Sequence, residues 1–103
     1  MSPEEIRTRL AQQKLFVDNG VDINYAWSAD FSCADLRGCT EFIGLNLDSV
    51  DFSGADLEGA SFEGCDLSNT NFSYANLKGA NMCNTYRLDT NFVGANLDGL
   101  LFS

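Results

Sequence analysis

Residues 55–82 read ADLEGASFEGCDLSNTNFSYANLKGANM. A large apolar residue returns at every fifth place, at Leu57, Phe62, Leu67, Phe72, Leu77 and Met82. Two residues before each stands a small one: Ala55, Ala60, Cys65, Thr70, Ala75 and Ala80. Between the two lies Asp, Asn or Ser. A spacing of five matches neither the 3.6 period of a helix nor the 2 of a strand. It calls for a body in which short extended pieces alternate with corners.

The register extends in both directions, with large centres at Phe31, Leu36, Phe42, Leu47 and Phe52 before this stretch and Arg87, Phe92, Leu97 and Phe102 after it. One step, from Leu36 to Phe42, is six residues long, which places a single inserted residue within Arg37–Cys39. A unit this short cannot bury its apolar face alone and must stack on neighbours, so the pattern predicts a solenoid. Every fourth centre repeats in type. Phe31, Phe52, Phe72 and Phe92 form one column, and Leu36, Leu57, Leu77 and Leu97 the next. Phe42, Phe62, Met82 and Phe102 follow, then Leu47, Leu67 and Arg87. Four units, about 20 residues, therefore make one turn, with like side chains piled one coil apart at the β spacing of roughly 4.8 Å. The second residue after most centres is Gly or Asn, suited to a corner with positive φ.

Units such as ADLEG, ANLKG and ANLDG resemble those of pentapeptide-repeat proteins. The resemblance covers about three quarters of the chain. It implies an all-β solenoid: a right-handed quadrilateral β-helix, here of about four coils over 29–103, with centres and small residues inward. Some members of that family resemble duplex DNA in shape and charge, bind DNA gyrase or topoisomerase IV, and dimerise through their C-terminal ends. The added C-terminal helix typical of those dimers is missing from this sequence.

The first 20 residues lie outside the repeat. Ser2-Pro3-Glu4-Glu5 is a capping box, with Ser as N-cap and Pro at the first helical position. Ile6, Leu10 and Val17, with Leu15 and Phe16 nearby, form an apolar stripe, and Asn19-Gly20 is a stop signal. This predicts a short capping α-helix over 1–20, followed by a lead-in over 21–28 with Trp27 at the junction. The opposite end has no such device. Leu100, Leu101 and Phe102, with Tyr86 one coil-face away, are expected to form an uncapped end that pairs with a second copy or stacks on another repeat chain.

Charge and composition narrow the function. Fifteen acids against six bases give −9 over 103 residues, which disfavours direct contact with nucleic acid or an anionic membrane. The N-terminus has no apolar core of a secretory signal, and a soluble, cytoplasmic protein is expected. The chain has no His, and Cys33, Cys39, Cys65 and Cys83 show no C-x-x-C spacing. Neither a metal nor a cofactor is expected, and the cysteines read as reduced and structural. The G-G-x-G-x-D spacing of calcium-binding β-rolls is absent too. A filled core with no nucleophile motif or phosphate loop argues against an enzyme.

Function must then lie on the outward positions. Nine acids and only Arg37 fall within 29–69, whereas 70–103 holds Asp89 and Asp98 against Lys78 and Arg87. The candidate binding face comprises Asp30, Asp35, Asp51, Asp56, Glu41 and Asp66. Stacked carboxylates repel one another, so the columns suggest either a DNA-mimicking face for a type II topoisomerase or a solvated surface chosen for turns. Arg87 stands at an inward centre, where an unpaired charge is costly. The sequence therefore predicts a bulge there, with Leu88 or Tyr86 filling the Leu column and Arg87 turned out, or a contact patch formed by Tyr86 and Arg87.

Overall fold

A computed structural model describes residues 1–18 and 29–102, with side chains for 1–11 and 29–102. The lead-in, the stop signal and Trp27 lie outside the described residues. Helix α1 spans Pro3–Asp18. It starts as its capping box requires: the Ser2 hydroxyl accepts the Glu5 N–H at 3.2 Å, and the Ser2 carbonyl accepts the Ile6 N–H at 3.1 Å.

From Ala29 onward the chain coils. Parallel bridges join Asp30 to Asp51, Asp51 to Asn71, and Asn71 to Asn91, with matching sets at Asp35–Asp56–Asn76–Asn96 and at Asn46–Asp66–Tyr86. On the remaining face Ser61 bridges Asn81, and the ladder continues through β1 (Asn81–Met82) and β2 (Leu101–Phe102), which pair in parallel. The 20-residue turn and its four units are thus realised as one continuous ladder system. One set of bonds recurs. The N–H of a centre donates to the next coil (Phe31 to the Asp51 carbonyl, 2.7 Å), and that coil donates back (Asp51 N–H to the Ala29 carbonyl, 3.0 Å). A turn then closes from each centre to the next small residue, as between the Ala55 N–H and the Phe52 carbonyl at 3.0 Å. Extended pieces of two or three residues separated by such turns leave most pairings as single bridges rather than strands.

The centres from Phe31 to Met82 are buried, and the rings within a column stack. Successive centroids of Phe31, Phe52, Phe72 and Phe92 lie 5.3, 5.1 and 5.5 Å apart with planes within 11°. The second Phe column meets the first edge to face, as Phe52 and Phe62 do at 5.4 Å and 80°. Both arrangements suit the ring quadrupole, so the core gains directional contacts beyond area burial. The smaller slots hold Ala, Val, Cys or Thr, apart from Leu45 and Leu100. Buried Thr70 donates its hydroxyl to the Leu47 carbonyl at 2.9 Å, and Cys65 its thiol to the Phe42 carbonyl at 2.7 Å. Burial pushes the Cys65 thiol up to about 11, in keeping with an inert filler.

Three details differ from the sequence reading. The inserted residue lies after Cys39, not within Arg37–Cys39. Gly38 keeps the corner, with its N–H on the Glu58 carbonyl at 2.8 Å, and Cys39 occupies the slot that Ala60 fills one coil on. Thr40 and Glu41 together face the single residue Ser61, a bulge in the outermost coil, where only one neighbouring ladder is disturbed. Arg87 stays in register rather than bulging. Tyr86 and Leu88 accept from Leu67 and Asn69 at 2.8 and 2.9 Å, in the ordinary ladder pattern, and both side chains point outward. The cost that motivated the bulge does not arise, because Arg87 belongs to the last described coil. Its guanidinium leaves through the open end, lies 4.6 Å from the Phe102 ring centre and reaches the Met82 carbonyl.

The third concerns corners. Positive φ occurs not only at Gly and Asn but also at Cys33, Ser49, Tyr74 and Asp89. Tyr74 leans over the corner of the next coil, where a Cβ on Gly94 would fall 2.5 Å from its ring. The contact therefore requires Gly at position 94.

Candidate interaction surfaces

The acids of the candidate face occupy the position just before a centre, and the local geometry explains their type. Their side-chain oxygens accept the N–H two residues on: Asp51 from Ser53 at 2.8 Å, Asp66 from Ser68 at 3.0 Å, Asn71 from Ser73 at 2.9 Å. Each such bond holds the entry to a turn, and Asp and Asn serve equally. The change from Asp to Asn along a column has its own consequence. The Asn76 amide donates to the Asp56 carboxylate below it at 3.1 Å, which a third carboxylate could not do.

The six acids of the candidate face do not gather on one surface. The bridges stack Asp51 on Asp30 along one side of the coil and Asp56 on Asp35 along the next. Asp66 belongs to another side, in line with Asn46 and Tyr86. Glu41 sits at the bulge, its carboxylate 3.6 Å from Arg7 of α1. Of the two stacked pairs, the second is partly neutralised. Arg37 grips Asp35 with two bonds of 2.9 Å and comes within 3.8 Å of Asp56. Sequence reasoning missed this clamp, although an Arg two places after Asp35 puts both on the same outward side of one unit.

The Arg37 side-chain bonds, aided by its backbone N–H, hold the Asp35 carboxyl down at about 2. Asp30 is also lowered, by the hydroxyl and N–H of Ser32. A depressed carboxylate favours the folded state above its unfolded pKa and loses that contribution as pH falls through the folded one. Acid loss of the Asp35 contribution therefore runs from the ordinary carboxylate range down through about pH 2. In Arg37→Ala, the Asp35 carboxyl is expected to return toward the ordinary range, as read by carboxyl-carbon NMR titration. An unchanged value would mean that the turn N–H, not the clamp, sets it.

The two ends contrast. Under the first coil lies α1, with Ile6 buried and Leu10 packed against the core. Arg9 donates to the Asp30 carbonyl with its guanidinium 5.9 Å from the Phe31 ring centre, and the Met1 amine donates to the Asp35 carbonyl at 3.1 Å. Two donors of the N-terminal segment thus occupy carbonyls at the edge of the first coil. At the last described coil, Leu97 is 39 % exposed, Leu101 54 % and Phe102 52 %. Leu100 is half-buried against the core, while Tyr86 lies on a side of the coil rather than on its end. Among the described residues no group of His, Cys, Asp or Glu is arranged to hold a metal ion, and no helix is long and apolar enough to cross a membrane.

Comparison with known proteins gives the family context. The family model described as pentapeptide repeats matches eight copies over residues 51–86. A pentapeptide repeat protein of the Arabidopsis thaliana thylakoid lumen is 35 % identical with a TM-score of 0.51, over 72 % of this chain and 48 % of its own. HetL of the cyanobacterium Nostoc, involved in heterocyst differentiation regulation, is 29 % identical with a TM-score of 0.46, over 72 % of this chain and 36 % of its own. QnrB1, a plasmid-mediated fluoroquinolone resistance protein, is 32 % identical with a TM-score of 0.40, over 69 % of this chain and 39 % of its own. The chain thus spans less than half the length of each of these structures. No curated protein matches it.

Proposed function

This chain is a pentapeptide-repeat protein, and on that premise we propose that it is a non-catalytic scaffold or protein-binding module that pairs end to end through its C-terminal coil. In this reading the coils form a right-handed quadrilateral β-helix of about four turns. The observation that carries the reading is the contrast between the ends. One is closed by α1, whereas the other leaves Leu97, Leu101 and Phe102 exposed at the end of the Phe and Leu columns. Exposed apolar ends of stacked ladders favour association, and a two-fold pairing buries the same patch on both copies. The distribution of charge agrees, with the acids concentrated toward α1 and away from the junction. Sedimentation equilibrium is the test. The wild type is expected at twice the monomer mass and Leu101→Asp/Phe102→Asp at the monomer mass with its circular dichroism unchanged. A monomeric wild type would refute the pairing.

A second reading is a DNA mimic that inhibits or protects a type II topoisomerase such as DNA gyrase. The stacking of Asp51 on Asp30 and of Asp56 on Asp35, on adjoining sides, favours it. The turn bonds and the Arg37 clamp weigh the other way, since they account for the same residues structurally. A supercoiling assay with wild type and an Asp30, Asp35, Asp51, Asp56→Asn variant separates the two. Asn keeps the turn bond, as Asn71 and Asn76 do, so the charge and the Arg37 clamp are removed while the turns stay. Inhibition by the wild type alone would establish the mimic.

A further inference from the structure

Each coil passes the same groups to the next. Phe72 and Leu77 donate their N–H groups to the carbonyls of Asn91 and Asn96 at 2.8 and 2.9 Å, and those residues donate back to the carbonyls of Thr70 and Ala75 at 2.9 Å. On the last coil the equivalent donors are the N–H groups of Phe92 and Leu97, for which no described residue supplies an acceptor. On the first coil the equivalent acceptors are the carbonyls of Asp30 and Asp35. These are the two carbonyls held by Arg9 and by the Met1 amine. Helix α1 therefore occupies the first coil's edge by presenting cationic donors where a preceding coil would present backbone N–H groups.

The side chains match as the backbone does. A second copy docked beneath the first coil in continuous register would lay its Phe92 on Phe31, Leu97 on Leu36 and Phe102 on Phe42. The existing coils already stack in this way, Phe72 on Phe92 at 5.5 Å. In the fourth column Leu47 would lie two coils from Arg87, whose guanidinium would be shut into the junction and away from water. Such head-to-tail stacking does not close on itself and grows into a filament.

We propose that the edge of the first coil beneath α1 is a latent docking surface for the C-terminal coil of a second copy, closed by Arg9 of α1 and opposed by Arg87. An inward-pointing charge at an open edge is a known way to prevent edge-to-edge growth, and here each end of the coil has one guanidinium set against a terminal Phe ring. The inference uses the same C-terminal edge as the proposed pairing but a different partner surface. A failed wild-type dimer therefore leaves it standing.

The test is light scattering and electron microscopy on the full chain. The triple variant Ile6→Asp/Arg9→Glu/Arg87→Leu is expected to grow with concentration into rods several times the wild-type mass, with a fibre repeat of about 4.8 Å. Adding Leu97→Lys, which spoils the opposite edge, is expected to stop the growth and leave the monomer mass. The milder Arg9→Ala/Arg87→Leu pair leaves Ile6 seated and is expected to grow more slowly. Growth that survives Leu97→Lys would overturn the proposal. So would a folded mild pair that stays at the wild-type mass at every concentration, whether or not the triple variant folds.

Discussion

Replacing Phe62 by Ala is expected to cost about 3–5 kcal/mol of stability, as for a fully buried aromatic. That is a large share of the roughly 5–15 kcal/mol available to a domain. Phe62 stacks on Phe42 at 5.3 Å and meets Phe52 and Phe72 edge to face at 5.4 and 5.3 Å. Ala would leave a void walled by rings that their own columns hold in place, so the site has little freedom to collapse. Phe102→Ala removes a ring of the same column that is half exposed, and about 1 kcal/mol is expected. Urea denaturation followed by circular dichroism gives both values. Equal losses would show that stability is not graded from the middle of the ladder to its open end.

Deleting Ser61 is expected to cost a similar amount, about 3–5 kcal/mol, because the shortened step withdraws Phe62 from its column or breaks the ladders on both sides. Ser61 donates to the Cys39 carbonyl at 2.9 Å and bridges Asn81, so it is held by the coil before and the coil after. Deleting Thr40, the exposed residue of the bulge, should instead bring the Cys39–Phe42 step to the spacing of Ala60–Phe62. A change within about 1 kcal/mol is expected. The two deletions remove one residue each at the same angular position, one coil apart. If both unfold the protein, the bulge is required by α1, whose Arg7 reaches Glu41 at 3.6 Å, and is not merely tolerated.

The comparison of Thr40 with Ser61 illustrates where legibility stops. The six-residue step is visible in the sequence, but its location is not. Gly38 and Cys39 fit the corner and small slots as well as the residues on either side do, and only the bond from Ser61 to Cys39 decides which of them stays in register. Arg87 failed for a related reason. A buried charge is costly, but an inward position in the last described coil is open to solvent and to the face of Phe102. The acid columns were visible as columns. That their oxygens are occupied by turn N–H groups, and that Arg37 closes on two of them, depends on side-chain directions that spacing does not encode.

What the sequence by itself determined was the period and therefore the core. A five-residue recurrence of large and small apolar positions has one closed solution, so the centres, the four columns and the capping box at Ser2–Glu5 could be named from the letters alone. What only the tertiary structure decided was the fate of groups at the boundaries. The carbonyls capped by Arg9 and the Met1 amine, the place of the extra residue, the non-glycine corners and the state of Arg87 each depend on which neighbouring coil is present or missing. Periodicity reports the interactions shared by every unit and is silent about the units that lack a neighbour.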